Sequence, residues 1–355
     1  MTVYIVDIEA VDTRYTGQWK THVPTLFGDA VIIEGPNDIP KATTPGAFLN
    51  FGGTNVYKAR QVEIMGRMFC EGKIKAGDHF LFTDAWHPGI VNLKYMSELL
   101  QIPVTIHALW HAGSYDPHDF LGRLIGNKPW VRKAEESFFD AIDHNYFATE
   151  FHIQLFAKTF GPDAAPTLWT DMHRKTGKIV RSGWPMEYME SVLTPWKGMK
   201  KRDLIVFPHR IAPEKQVEIF RDLAARNPQY EWVVCQDHTL TKDQYHALLG
   251  EAKIVFSASL QETLGIGCYE GWIVDALPLV PDRLSYAEMY SDALRYPSEW
   301  TKDYEHYLQF RTNLEDRINA MMHNYSNWQK FCGPQRKMLT EKFFSATEIL
   351  KRVGS

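Results

Sequence analysis

Short apolar runs, many of them β-branched, alternate with longer stretches of helical spacing along almost the whole chain, and this rhythm leaves few architectures open. Residues 3–8, 78–84 (DHFLFTD), 104–110 (VTIHALW), 145–149, 204–208, 230–235, 253–258 and 278–281 read as strands. Helical spacing marks 56–71, where Val62, Met65, Met68 and Phe69 share a face, and then 93–101, 129–143, 152–160, 213–227, 242–249 and 265–276. Residues 303–325 and 334–352 also read as helices, 9–20 as a polar, aromatic segment, and 45–54 (PGAFLNFGGT) as a loop ending in a glycine pair. Strand, loop and helix in repeated order predict an α/β protein with parallel sheets covered on both faces. Ligands of such sheets sit beyond the carboxyl ends of the strands, so the loops after Asp84 and Trp110 are candidate site walls.

The rhythm breaks at 184–202, with Trp184-Pro185 and then Thr194-Pro195-Trp196-Lys197-Gly198. This reads as the connection between two domains, which a chain of 355 residues can hold. The expected division is 1–190, 191–333, and a C-terminal helix in 334–355 that packs back on the first domain. With 39 Lys and Arg against 43 Asp and Glu, the net charge of −4 argues against a nucleic-acid coat or a polybasic membrane binder, while leaving room for a local basic face. Cys70, Cys235, Cys268 and Cys332 lie far apart without metal-ligand spacing, which predicts neither a zinc site nor a disulfide framework and suits a reducing compartment. No basic leader opens the sequence and no run of about 18 apolar residues occurs. A cytoplasmic protein without a membrane span is expected.

Two segments carry chemistry. Glu262-Thr263-Leu264-Gly265-Ile266-Gly267-Cys268-Tyr269-Glu270 sets two carboxylates eight residues apart around a glycine-containing turn that leaves a strand and opens a helix. Glycine lets a ligand approach the backbone, and the unpaired amides of a helix start favour phosphate. Carboxylates suit sugar hydroxyls, which are donors seeking strong acceptors. The second segment, Phe207-Pro208-His209-Arg210-Ile211-Ala212-Pro213-Glu214-Lys215, brings two cations to a strand end and a helix start, where they could neutralise a diphosphate leaving group. Each segment alone is also compatible with solvated surface residues.

Together the two segments resemble the C-terminal domain of family-4-like GT-B glycosyltransferases, over residues 203–282. Arg210 and Lys215 have that family's spacing, Glu262 and Glu270 fit its Glu-x7-Glu element, and ALPLVPD at 276–282 resembles the stretch that follows. The chain departs from the family in having His209 before the arginine and Leu264 before Gly265, and its Gly52-Gly53 pair comes late after the first strand. The resemblance implies a GT-B fold, with two Rossmann-like domains facing an interdomain cleft. It implies Arg210 and Lys215 on the donor diphosphate, Glu262 with the amides near Leu264 and Gly265 on the donor sugar, and Glu270 on the ribose. It further implies a histidine beside the reacting carbon. His111 fits that place after its strand, with His107 and His87 as alternatives, and Trp86 and Gly53 join His87 as cleft or acceptor-side residues. Retention of configuration follows from the resemblance, as does a uridine diphosphate sugar as donor. No Asp-x-Asp occurs, which favours charge stabilisation by Arg, Lys and a helix dipole without metal or other cofactor.

The acceptor is open between a saccharide hydroxyl and a hydroxymethylated DNA base. NFGGTNVYKARQ (50–61), FTDAWHPGI (82–90) and WHAGSYDPHDF (110–120) resemble segments of bacteriophage glycosyltransferases, some of which modify their own DNA, and would place the chain in the host cytoplasm. Trp86, Trp110 and Tyr115 could then stack on a base or a sugar. Residues 173–202 carry Arg174, Lys175, Lys178, Arg181, Lys197, Lys200, Lys201 and Arg202 against Glu187 and Glu190, a local excess along which an anionic polymer could run, or an ordinary solvated stretch. A non-catalytic nucleotide-sugar binder is the alternative from another class.

Overall fold

The computed structural model describes residues 1–354 apart from Thr13, Lys41, Pro45, Gly46 and Phe48. The chain forms two compact units, one of Met1–Met186 with Ser345–Ser355, the other of Glu187–Phe344.

In the first unit the order is β1 (Val3–Val6), α1 (Tyr15–Thr25), β2 (Val31–Ile33), α2 (Phe51–Cys70), β3 (His79–Phe82), α3 (Gly89–Leu99), β4 (Thr105–Trp110), α4 (Phe120–Ile125), α5 (Pro129–Ala141), β5 (His144–Phe147), α6 (Glu150–Phe160), α7 (Pro166–Lys175) and β6 (Ile179–Arg181). The six strands lie parallel in the order β2-β1-β3-β4-β5-β6. Phe80, Phe82, Ile106, Trp110, Phe147 and Phe156 are buried at its centre. Full burial of such side chains contributes roughly 1.5–3 kcal/mol each, which is why these strands are unbroken apolar runs.

The second unit runs α8 (Tyr188–Leu193), β7 (Leu204–Phe207), α9 (Val217–Arg226), β8 (Glu231–Val234), α10 (Lys242–Glu251), β9 (Ile254–Phe256), α11 (Ile266–Ile273), β10 (Leu277–Pro281), α12 (Tyr286–Met289), β11 (Arg295–Tyr296), α13 (Tyr304–His323), α14 (Tyr325–Cys332) and α15 (Gln335–Phe343). Its sheet is also parallel, in the order β11-β10-β9-β7-β8. A last helix, α16 (Thr347–Val353), belongs to the first unit.

Strand order fixes where a ligand can enter. In the first unit the chain leaves β1 for β2 on one side and returns to β3 on the other, and in the second unit β7 stands in the same way between β8 and β9. Each sheet therefore has its topological switch point beside its first strand, where diverging loops leave a crevice.

Several segments differ from the sequence reading. Residues 9–20 include the start of α1, which contains Gly17 and Pro24 and so shows little helical signal. In 45–54, Pro45, Gly46 and Phe48 lie outside the described residues, and the glycine pair is not loop but the first turn of α2, capped by the Asn50 side chain accepting from the Gly53 amide at 2.8 Å. Residues 184–202 hold α8 and a 3₁₀ turn, Thr194–Trp196. The helix expected over 213–227 is broken at Gln216, and 334–352 is two helices separated at Phe344–Ala346.

Candidate functional site

The switch point of the second unit is built from the loops after β7 and β9. Those strands are hydrogen-bonded neighbours, with Ile205 opposite Ile254 and Val206 opposite Val255, so their loops start side by side. The Leu260 amide donates to the Glu214 carbonyl at 2.7 Å, and the Gln216 side chain donates to Ala258 O at 2.7 Å, tying one loop to the other.

Within this frame the ammonium of Lys215 donates to Glu262 Oε1 at 2.8 Å and to the Gln261 carbonyl. The second oxygen of Glu262 accepts the Gly265 amide at 3.2 Å. His209 Nδ1 lies 3.5 Å from Glu262 Oε1, and Arg210 pairs with Glu214. Burial works to raise the Glu262 carboxyl, but the charge of Lys215 first, with Arg210 behind it, outweighs burial and holds the group below its ordinary value. Burial pushes His209 down to about 3, so its ring is neutral, and its buried Nε2 has no hydrogen-bond partner among the described residues. Sequence spacing brought Arg210, Lys215 and Glu262 into view but assigned no role to His209 or Gln261.

Gly265 caps α11 in a left-handed conformation at φ +67, and a Cβ there would meet Tyr286 at 2.5 Å. Leu264 is buried beside it, so its side chain is core rather than a ligand contact. The first intrahelical bonds of α11 come from Cys268 and Tyr269, both to Gly265 O, which leaves the Ile266 and Gly267 amides ahead of the ladder. One turn on, Glu270 Oε2 accepts the Tyr245 hydroxyl at 2.8 Å. Burial raises the Glu270 carboxyl despite that bond. The two carboxylates of the Glu-x7-Glu element thus sit in opposite environments, one beside cations and one beside a phenol.

In the first unit His111 follows β4 and is buried, with both ring nitrogens engaged. Its Nε2 lies 2.6 Å from Thr83 O and its Nδ1 2.6 Å from the Tyr15 hydroxyl. A carbonyl only accepts, so Nε2 carries the proton and Nδ1 accepts from Tyr15. Tyr15, Trp19 and Trp184 pack around the imidazole, with ring centroids 5.8, 5.4 and 4.8 Å from it. His87 is locked in its turn, Nδ1 accepting from the Gly89 amide and Nε2 donating to Gln61, both at 2.9 Å. His107 lies in the amino half of β4, bonded to His79 and Tyr146 at 2.9 Å each, away from the loop ends. Trp86 is half-buried and donates its indole N–H to Glu135 at 2.9 Å. Trp110 and Tyr115, expected as stacking platforms, are core residues instead: Trp110 lies at the buried end of β4 and bonds Asn145, and Tyr115 bonds His152.

Five of the basic residues in 173–202 are held in internal bonds. Arg174 pairs with Glu150 at 2.5 Å, and Lys178 donates to the Asp140 carbonyl at 2.8 Å. Lys197 pairs with Glu190, and Lys201 donates to Val274 O at 2.7 Å. Arg202 pairs with Glu231 and Glu251 at 2.6 and 2.5 Å.

Among the described residues no helix is long and apolar enough to cross a membrane. No family model matches the chain, and no curated protein is similar to it in sequence. Solved structures are similar in fold. The catalytic domain of starch synthase IV from Arabidopsis thaliana, bound to ADP and acarbose, superposes with a TM-score of 0.62 at 11% identity, over 99% of this chain and 98% of that one. Anabaena Alr3699/HepE in complex with UDP and glucose gives 0.58 at 11% identity, over 100% of both chains. The lipopolysaccharide outer core galactosyltransferase WaaB in its apo form gives 0.58 at 13% identity, over 99% and 100%. Two parallel-sheet α/β units matched over their whole length to these proteins give the chain the GT-B fold.

Proposed function

We propose that this protein is a glycosyltransferase that moves a sugar from a nucleotide diphosphate donor, read as a uridine diphosphate sugar, to a hydroxyl acceptor. The observation that carries the reading is the convergence of Arg210, Lys215, Glu262 and the α11 N-terminus on one switch point. ADP and UDP in the neighbouring structures, and the galactosyltransferase among them, point the same way.

The chemistry follows from the residues. Arg210 and Lys215 are paired with Glu214 and Glu262, and a diphosphate arriving between them would exchange those partners for its own oxygens. The Ile266 and Gly267 amides add donors and the positive end of the helix. As C–O bond cleavage loads charge onto the leaving phosphate, these groups stabilise it without a metal ion, the step in which preorganised charge matters most. Glu262, released from Lys215, then accepts sugar hydroxyls, and Glu270, raised and carrying one phenol bond, accepts the ribose. Retention at the anomeric carbon is the outcome the resemblance implies. A hydroxymethylated DNA base rests on sequence resemblance alone, and the engaged cations of 173–202 weaken the case for a polyanion track.

Incubation with pooled nucleotide sugars, together with a pool of saccharides and 5-hydroxymethylcytosine DNA as acceptors, read by mass spectrometry for nucleotide release and for the sugar increment on an acceptor, tests the reading. Wild type is expected to release nucleoside diphosphate, and Lys215→Ala to lose 10²-fold or more in kcat/KM, roughly the cost of removing one preorganised charge. Equal turnover by both proteins would overturn the assignment of these loops.

A further inference from the structure

The switch point of the first unit holds an unassigned polar site. Glu9 follows β1 in a loop pinned by the Ile8 amide donating to Thr83 Oγ1 at 2.8 Å. Glu9 is 5% exposed, yet neither carboxylate oxygen has a hydrogen-bond partner among the described residues. Beside it Asp7 accepts Tyr57 and Gln61 through Oδ1, at 2.7 and 3.0 Å, while its buried Oδ2 is bare. Thr54, in the first turns of α2, turns its buried hydroxyl toward Glu9 but has no partner within hydrogen-bond distance among the described residues. The neighbouring cation does not fill the gap, because Lys58 is held by Asp84 at 2.6 Å and by Trp86 O at 2.5 Å. Desolvating a carboxylate without donors is strongly unfavourable, so such groups are normally paired. Glu9 lacks donors, and Asp7, raised to about 7 by burial, offers an Oδ2 that accepts when ionised and donates when protonated. Anionic oxygens only accept and leave Glu9 unmet, whereas sugar hydroxyls both donate and accept and so serve both groups.

We propose that Glu9, with Asp7 and Thr54, binds the hydroxyls of an uncharged saccharide, and that this saccharide is the acceptor. The inference rests on the glycosyl-transfer reading for the word acceptor, but not for the binding. Glu9 here orients a hydroxyl and transfers no proton.

The test uses the full chain without nucleotide. Saturation-transfer NMR is run with a mixture of glucose, galactose, mannose, N-acetylglucosamine and glycerol, and separately with 5-hydroxymethylcytosine DNA. At least one sugar is expected to bind wild type, and Glu9→Gln to weaken it about tenfold to a hundredfold, the worth of hydrogen bonds to a charged group. Thr54→Val, a milder change, covers the case in which the Glu9 variant misfolds, and is expected to weaken the same sugar severalfold. No sugar signal, a signal indifferent to both substitutions, or binding of the DNA alone would each overturn the proposal. Sugar binding without any nucleotide release by wild type would keep the site and sink the transfer reading instead.

Discussion

Gly265 is the residue on which the proposed donor site turns. It accepts the first intrahelical bonds of α11, donates its amide to Glu262, and packs against the ring of Tyr286. At φ +67 a side chain is strained by about 1–2 kcal/mol, and a Cβ 2.5 Å from a fully buried ring adds an overpacking cost of about 1–3 kcal/mol. Gly265→Ala is therefore expected to destabilise the second unit by about 2–4 kcal/mol in urea unfolding and to weaken binding of uridine diphosphate by calorimetry. A neutral result in both would mean that the turn is not held as described. Residues of this kind were legible in the sequence because their spacing is local: Gly265 lies within the Glu-x7-Glu element, and Arg210 and Lys215 share one loop. Glu9, Tyr245 and His209 were not, because what singles them out is contact with distant segments: the absence of any donor for Glu9, the phenol of Tyr245 on Glu270 twenty-five residues away, the ring of His209 beside Glu262.

The helix that breaks at Gln216 shows the same limit at the scale of an element. Pro213, Val217, Phe220 and Leu223 have helical spacing, so 213–227 reads as one helix. Gln216 instead adopts a left-handed conformation, φ +53, between a 3₁₀ turn and α9. Its side chain repays this by donating to Ala258 O and Thr301 O, both at 2.7 Å, and the break leaves Lys215 at Gln261 and Glu262. Those acceptors lie far along the chain, where no periodicity could announce them. Two substitutions separate strain from bonding. Gln216→Ala loses the bonds and keeps the strain, and should cost about 2–3 kcal/mol. Gln216→Gly relieves the strain and should be less damaging by about 1 kcal/mol, with both variants raising the KM for the donor. Glycine no better than alanine would place the break outside the donor loops' control. Short elements escaped for other reasons: β2 has three residues, α1 carries Pro24, and β11 is a two-residue edge strand. The buried apolar strands β3, β4, β7 and β9 declared themselves by composition alone, while three-residue β6 did not.

For the molecule as a whole, the enclosed histidines set the response to acid. Burial pushes His87, His152 and His209 down to about 3 and His107 to about 2. In the unfolded chain each would take a proton near pH 6.5, whereas in the folded chain each stays neutral until far lower pH. The unfolded state therefore binds more protons as pH falls below 6.5, and each such histidine removes about 1.4 kcal/mol of stability per pH unit down to its folded value. Buried carboxyls oppose this. Burial raises Asp7 to about 7, so between pH 7 and the ordinary aspartate range the folded state holds the extra proton and gains stability on acidification. Glu9, Glu135 and Glu270 are raised by burial as well and act in the same sense. The histidine loss continues below pH 4, past the range in which unfolded carboxyls take up their protons. The melting temperature is therefore expected to change little from pH 7.5 to 6.5, decline gradually towards pH 5 while the two effects compete, and drop steeply below about pH 4.5. Calorimetric scans across that range at constant ionic strength would check it, and Asp7→Asn sharpens the test. That variant lacks the opposing proton uptake, so its decline should begin earlier and run more steeply between pH 6.5 and 5. A variant curve parallel to wild type through that interval would show that Asp7 ionises as it does in water, and that the polar cluster at the first switch point is open to solvent.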